Sequence, residues 1–295
     1  MSSHAGVAAS LTRIEQRPSS RPLAWLWRNT LLWVGILLVL LLVVLAAFAP
    51  MLAPNDPYAI GIGPSMAPPS SDLLMGADKL GRDLFSRIIY GARTTLLVSL
   101  PSIALAMIVG LLLGLVAGYF GGRIDQVIMR ILDIFLAFPG LLLAIAVVAV
   151  LGPSIPNLII TIAILYTPRM ARIVRAPVLS IKEREFIGAA RVSGSGDWRI
   201  IRRHILPNVL SPVIVEATLS ASQAIITESA LSYLGLGAPP PTPSWGEMLS
   251  SSRQFMTSAP WSALFPGLAI VYATTSFIIL GNGLRDLLDP RRRSA

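Results

Sequence analysis

The sequence predicts an all-α, polytopic membrane protein with six transmembrane helices and both termini on the cytoplasmic side. Composition is the first observation behind this expectation. The 295 residues are 54% hydrophobic and only 13% charged, against about 25% charged in a soluble domain, and the mean hydropathy is +0.70. Pattern is the second: apolar runs recur near the roughly 20 residues that a helix needs to cross about 30 Å of hydrocarbon. They lack the alternation of barrel strands.

Residues 1–30 are polar and rich in Ser and Arg, with Arg13, Arg17, Arg21 and Arg28, and are expected to be a cytoplasmic tail. The run 31–49 ends in Ala47-Phe48-Ala49, as a signal peptide can, but it exceeds the about 7 to 15 residues of a signal h-region and is read as the first span. A loop rich in Pro and Asp follows, so 31–93 is read as one span plus an external loop. The second span, 96–117, carries Gly110, Gly114 and Gly118 at four-residue spacing, which lets another helix approach closely.

The third span, 127–151, places Arg130 and Asp133 where they can pair and Pro139 where it can kink the helix. Gly152, Pro153 and Pro156 break the run. A fourth span, 157–170, closes in Arg169, Arg172 and Arg175, the mark of a cytoplasmic end. The fifth and sixth spans are 209–234 and 263–284. Between them Pro239, Pro240, Pro241 and Pro243 favour stiff polyproline II. Residues 286–295, with Arg291, Arg292 and Arg293, form a basic cytoplasmic tail.

The net charge of +9 sits beside the apolar runs rather than on a soluble domain. It is therefore read as topogenic and as contact with anionic membrane lipids, not as a nucleic-acid surface. With no cysteine there is no disulfide and no thiolate chemistry. Lysine occurs only at Lys79 and Lys182, neither within a P-loop pattern, so the chain is not itself an ATPase. His4 and His204 are not placed to share a metal, and a lone histidine lacks the second group that catalysis needs.

Between the fourth and fifth spans lies a basic insert, residues 181–207. Phe186, Ala189, Ala190 and Ser193 recur at helical spacing; the alanines let a partner come close and Phe186 can fill a pocket in it. Gly194 stops that helix. Ser195, Gly196 and Asp197 then form a turn able to cap a second short helix, in which Trp198, Ile201 and Ile205 share one face and Arg199, Arg202 and Arg203 the other. That arrangement suits a helix lying along the bilayer surface. Pro207 is tolerated in the first turn of the fifth span.

The fifth span is polar for its position. Thr218, Ser222 and Ser229 fall on one stripe, Glu216 and Glu228 are acids inside the span, and such groups serve either a polar translocation path or helix packing.

The insert resembles the EAA loop of ABC importer permeases, whose pattern is Glu-Ala-Ala, three residues, Gly, nine residues, Ile, one residue, Leu-Pro. Here Gly188, Ala189, Ala190, Gly194, Leu206 and Pro207 keep that spacing. Gly188 stands where the family has glutamate, with Glu185 one turn earlier, and His204 stands for the isoleucine. LGRDLFSRIIYGAR (80–93), ESALSYLGLG (228–237), PPTPSWGEML (240–249) and GLRDLLDPR (283–291) are similar to the dipeptide, oligopeptide and nickel branch of that family.

The resemblance implies that 94–285 is an ABC transporter transmembrane domain with a coupling loop at 181–207. It implies a permease in the bacterial inner membrane that imports di- or oligopeptides by alternating access, or nickel or glutathione with the same machinery. The implied partners are a second, homologous permease subunit, two cytoplasmic ATPase subunits holding ATP and magnesium, and an extracytoplasmic substrate-binding protein; this chain would bind no cofactor. Glu185, Phe186, Gly188, Ala189, Ala190, Gly194, Leu206 and Pro207 would dock the ATPase, and Thr218, Ser222, Glu228 and Ser229 would border the path. The rival reading, an ATP-independent secondary transporter, calls for ion sites in two matching halves, and no convincing internal repeat is visible.

Overall fold

The computed structural model describes residues 29–288. The N-terminal tail before them, and Arg291 to Arg293 after them, lie outside the described residues. In chain order the elements are α1 (Thr30–Ala47), α2 (Ala49–Leu52), α3 (Leu84–Phe120), α4 (Gly122–Ala137), α5 (Gly140–Leu151), α6 (Ile155–Lys182), α7 (Glu185–Val192), α8 (Asp197–Ile200), a π-helical turn (Ile201–Ile205), α9 (Leu206–Tyr233), α10 (Trp245–Ser252) and α11 (Trp261–Leu288). Among the described residues the one β feature is an isolated bridge between Ala77 and Asp83.

Among the described residues five helices are long and apolar enough to cross a membrane: α1, α3, α6, the continuous helix Asp197–Tyr233, and α11. The sixth apolar run is not one straight span, because α4 and α5 meet at 94°. Phe138 is extended at φ −92°, ψ 142°, the conformation that a following proline imposes. Pro139 therefore ends one helix and starts another rather than kinking a single one.

Two helices outrun their expected bounds. α3 starts at Leu84, inside the stretch read as loop, because Asp83 caps it by accepting from the backbone N–H groups of Phe85 at 3.3 Å and Ser86 at 3.2 Å. Its 37 residues span about 55 Å. α6 continues past residue 170 to Lys182 with Pro168 and Pro177 inside it. Its arginines do not mark the helix end; they lie within it and meet carboxylates on neighbouring helices.

The glycine row behaves as its spacing predicts. A Cβ on Gly114 would stand 2.5 Å from the Ala171 carbonyl oxygen, and one on Gly118 would stand 2.8 Å from Val178 Cβ. α3 and α6 thus run parallel in close contact, with Gly110 against Met170. A second close seam joins α1 to α11, where Gly35 meets Leu280 and Gly283 meets Leu32. The outward side of α1 keeps Leu37, Leu40 and Leu41 exposed, as a hydrocarbon surround requires.

At one end of the bundle the loops before α3 and around α10 form a single layer. The buried Arg87 guanidinium donates to the Pro57 carbonyl and to Glu247, each at 3.1 Å, and lies 3.5 Å from Asp78. Trp245 donates its Nε1–H to the Ile88 carbonyl at 2.9 Å. The proline stretch before α10 turns instead of extending as polyproline II, with Thr242 N–H donating to the Pro239 carbonyl at 3.2 Å. At the opposite end, the insert packs across the ends of α3, α6 and α9.

The candidate ATPase-docking insert

The insert is fastened by isoleucines that its sequence pattern did not single out. Ile187 on α7, Ile200 at the end of α8 and Ile205 in the π turn are fully buried, in one cluster with Leu115, Tyr119, Val174, Val178, Val209 and Val213. Seated on this floor, α7 leaves Phe186 44% exposed, Gly188 and Ala189 open and Ala190 half-buried. Glu185 is exposed in its first turn.

Gly194 closes α7 at φ +76°, a conformation that L side chains rarely adopt. The turn is sealed by Ser195 N–H donating to the Ala190 carbonyl at 3.0 Å, a glycine-terminated helix end. Gly188 is glycine without such a need, since a Cβ there would meet nothing within 4 Å.

The second segment differs from its expected form. Trp198 is 72% exposed, while Ile200 takes the buried position, and the segment continues unbroken from Asp197 into α9 instead of ending as a separate surface helix. Pro207 supplies the physical reason: without an N–H it cannot continue the α ladder, and its ring crowds the carbonyl four residues back. The ladder widens just before it, with Leu206 N–H donating to the Ile201 carbonyl five residues earlier. That wider turn puts Ile200 and Ile205 on the face that continues through Val209 and Val213.

Asp197 does not cap α8, whose N-cap, Gly196, makes no side-chain bond. Instead the Asp197 carboxylate accepts from the Tyr119 hydroxyl at 2.6 Å, and the Arg191 guanidinium lies 5.8 Å from the Tyr119 ring centroid. The last turn of α3 is thus pinned to both helices of the insert. The Phe186 and His204 rings lie 6.2 Å apart, joining α7 to the π turn.

Above the insert, α6 carries a ladder of ion pairs. Arg169 meets Glu216 on α9, Arg172 meets Asp133 and Arg175 meets Asp125 on α4, each at 2.5 Å. Asp133 therefore pairs across helices and not with Arg130 as its three-residue spacing suggests. The available signal was the spacing of the arginines by three and of the two aspartates by eight, both compatible with one helix face.

The polar stripe of α9 lies mostly between helices. Ser222, Ser229 and Glu228 are buried, and Thr218 is half-buried. The Glu228 carboxylate accepts from the hydroxyls of Ser232 at 2.7 Å, Thr95 at 3.2 Å and Ser229 at 3.4 Å. Glu216 also accepts from the Ser220 hydroxyl at 3.2 Å.

Residues 110–294 match the family described as binding-protein-dependent transport system inner membrane component. The chain belongs to this family. Residues 23–69 also match the N-terminal transmembrane domain of oligopeptide transport permease C. The permease is 48% identical to a dipeptide transport system permease protein of Alkalihalophilus pseudofirmus over 90% of its own length and 88% of the relative's. It is 45% identical to a di/tripeptide transport system permease protein of Pseudomonas aeruginosa, over 88% of each chain. A glutathione transport system permease protein of Pectobacterium atrosepticum is 45% identical over 88% of this chain and 86% of the relative.

Among solved structures, a chain of the MetNI methionine ABC transporter, described in inward-facing conformations, superposes with a TM-score of 0.57 at 18% identity over 69% of this chain and 96% of that one. That likeness supports the all-helical ABC permease fold. The protein is a multi-pass inner-membrane permease.

Proposed function

We propose that this chain is a transmembrane subunit of an ATP-driven importer for short peptides in the bacterial plasma membrane. The observation that carries the reading is the construction of the insert: buried isoleucines anchor it to three long helices, while Phe186, Gly188 and Ala189 are left open. Such a surface, small at the centre with one aromatic anchor, suits a groove in a partner protein. The 48% identical dipeptide permease supports peptides as cargo.

In this reading α4 and α5 together count as one broken span, giving six spans with both termini and the insert in the cytoplasm. Residues 1–30 and 286–295 are cytoplasmic tails, 31–93 supplies the first span and external loop, and 94–285 is the transport domain. Two cytoplasmic ATPase subunits hold ATP and magnesium, and this chain binds neither. A second, related permease subunit completes the pathway, and a substrate-binding protein delivers peptide to the loop layer around Arg87 and Trp245.

Glu185, Phe186, Gly188, Ala189, Ala190, Gly194, Leu206 and Pro207 form or position the docking element. Thr218, Ser222, Glu228 and Ser229 border the path when α9 turns away from α3 during alternating access. The 45% identical glutathione permease favours a second cargo, itself a tripeptide.

The test is capture of the purified ATPase subunits by the wild-type permease and by an Ala189→Glu, Ala190→Glu variant in detergent. Loss of capture in the variant is expected, and equal capture would exclude docking through this face. Uptake by the assembled transporter of dipeptides, longer peptides and glutathione then ranks the cargoes.

A further inference from the structure

Asp197–Tyr233 is one continuous helix, so a displacement of the insert is a displacement of the insert-proximal half of α9. Apart from the Tyr119–Asp197 hydrogen bond at the insert end, which must swing or break with it, the contacts of that half with α3 and α6 are mostly apolar, through Val209, Val213, Val174, Val178 and Leu115. Apolar contact of this kind tolerates sliding and has no preferred polar register. The Arg169–Glu216 pair adds a directional contact at 2.5 Å, and its two sides differ: the Arg169 side chain is 55% exposed and that of Glu216 only 9%.

The other two rungs run to a different element. Arg172 and Arg175 hold Asp133 and Asp125 of α4, the helix that ends at the 94° break. α6 is therefore a rail with α9 fastened on one side and the broken span on the other. Arg169 is the rung farthest along α6 from the insert.

We infer that Arg169 is a positioning residue for energy coupling: its ion pair with Glu216 is a latch that holds α9 to α6 in the present arrangement and opens when the ATPase moves the insert. An exposed arginine can leave for water or another acceptor, whereas the buried glutamate keeps the Ser220 hydroxyl as its remaining partner. Breaking the pair thus costs enough to define two states without stranding Glu216 completely. The inference rests on the ABC permease reading above.

The chain has no cysteine, so Arg169→Cys with Glu216→Cys gives it its only two thiols, and the transporter built with the wild-type chain controls for reaction at the other subunits. In the assembled transporter, a short bifunctional thiol reagent with a reducible centre is expected to lower ATP hydrolysis about tenfold, within the range of coupling between protein sites, and reduction is expected to restore it. Hydrolysis at the unlinked rate while linked would overturn the latch.

The uncrosslinked charge variants supply a second reading that survives poor folding of the cysteine pair. Arg169→Gln is expected to raise ATP hydrolysed per peptide imported, Arg169→Lys to raise it less, and the swap Arg169→Glu with Glu216→Arg to bring it back towards wild type. A swap no better than either single change would count against the proposal. Because the crosslinking experiment scores hydrolysis without reference to cargo, a transporter that hydrolyses ATP but imports no peptide would refute the peptide assignment and leave the latch to be decided by that experiment.

Discussion

Arg87 and Glu247 form an ion pair at 3.1 Å across 160 positions of sequence, with the arginine side chain 1% exposed. The pair joins the start of α3 to α10 and closes the loop layer over the helix ends. Arg87 is the buried member, and its loss empties its site and leaves the Pro57 carbonyl without its guanidinium donor and Glu247 without its cation, at a cost of up to about 3–5 kcal/mol. A Glu247 change, by contrast, leaves Arg87 with Asp78 and Pro57. Arg87→Ala is accordingly expected to lower the melting temperature of the purified permease sharply. Glu247→Gln, which keeps an acceptor oxygen at a more open site, is expected to cost less. Equal melting of Arg87→Ala and wild type would show that the loop layer is held by other contacts.

The insert separates a buried anchoring face from the exposed face proposed to dock, and two substitutions read them apart. Ile187→Ala empties a fully buried site and is expected to cost about 2–5 kcal/mol, loosening α7 and weakening ATPase capture together. Phe186→Ala removes a side chain already 44% exposed, so stability should change within about 0.5 kcal/mol while capture falls. Thermal melting and capture on the same preparations check both.

Two glycines should respond in opposite ways. At Gly114 the Ala171 carbonyl oxygen and Val174 leave no room for a side chain, and Gly114→Leu is expected to destabilise the α3–α6 seam by about 1–3 kcal/mol or more. At Gly188 nothing lies within 4 Å, and Gly188→Ala is expected to stabilise α7 by up to about 1 kcal/mol through helix propensity. Gly188→Glu restores the family's residue and is expected to tighten ATPase binding; weaker binding would mean that the partner uses the space glycine leaves.

Glu228 collects three hydroxyl donors from α3 and α9. Glu228→Ala removes their shared acceptor and is expected to cost about 1–3 kcal/mol. Glu228→Gln retains an acceptor oxygen and should melt close to wild type. If the residue also borders the path, Glu228→Gln shifts the KM for peptide uptake at an unchanged melting temperature. An unchanged KM would assign Glu228 to helix packing alone.

The apolar runs and the glycine row were legible because they depend on local length and period. The insert stood out in the sequence because its spacing repeats a family pattern, and the structure places it as a packed element at one end of the bundle. What escaped was set by distant partners. Arg87 reads as a loop charge until Glu247, far along the chain, buries it. Arg169, Arg172 and Arg175 read as signs of a helix end until Glu216, Asp133 and Asp125 receive them. The buried role of Ile200 was hidden for another reason: a constant period of 3.6 residues cannot describe a helix that widens for one turn.

That widened turn also sets an angle. One residue fewer between Asp197 and Pro207 would rotate everything before the deletion by about 100° relative to α9. The heading of the exposed α7 face is therefore encoded in residue count, independently of its chemistry. A permease with the same surface residues but one residue more or fewer here would present them in a different direction, whatever partner they meet.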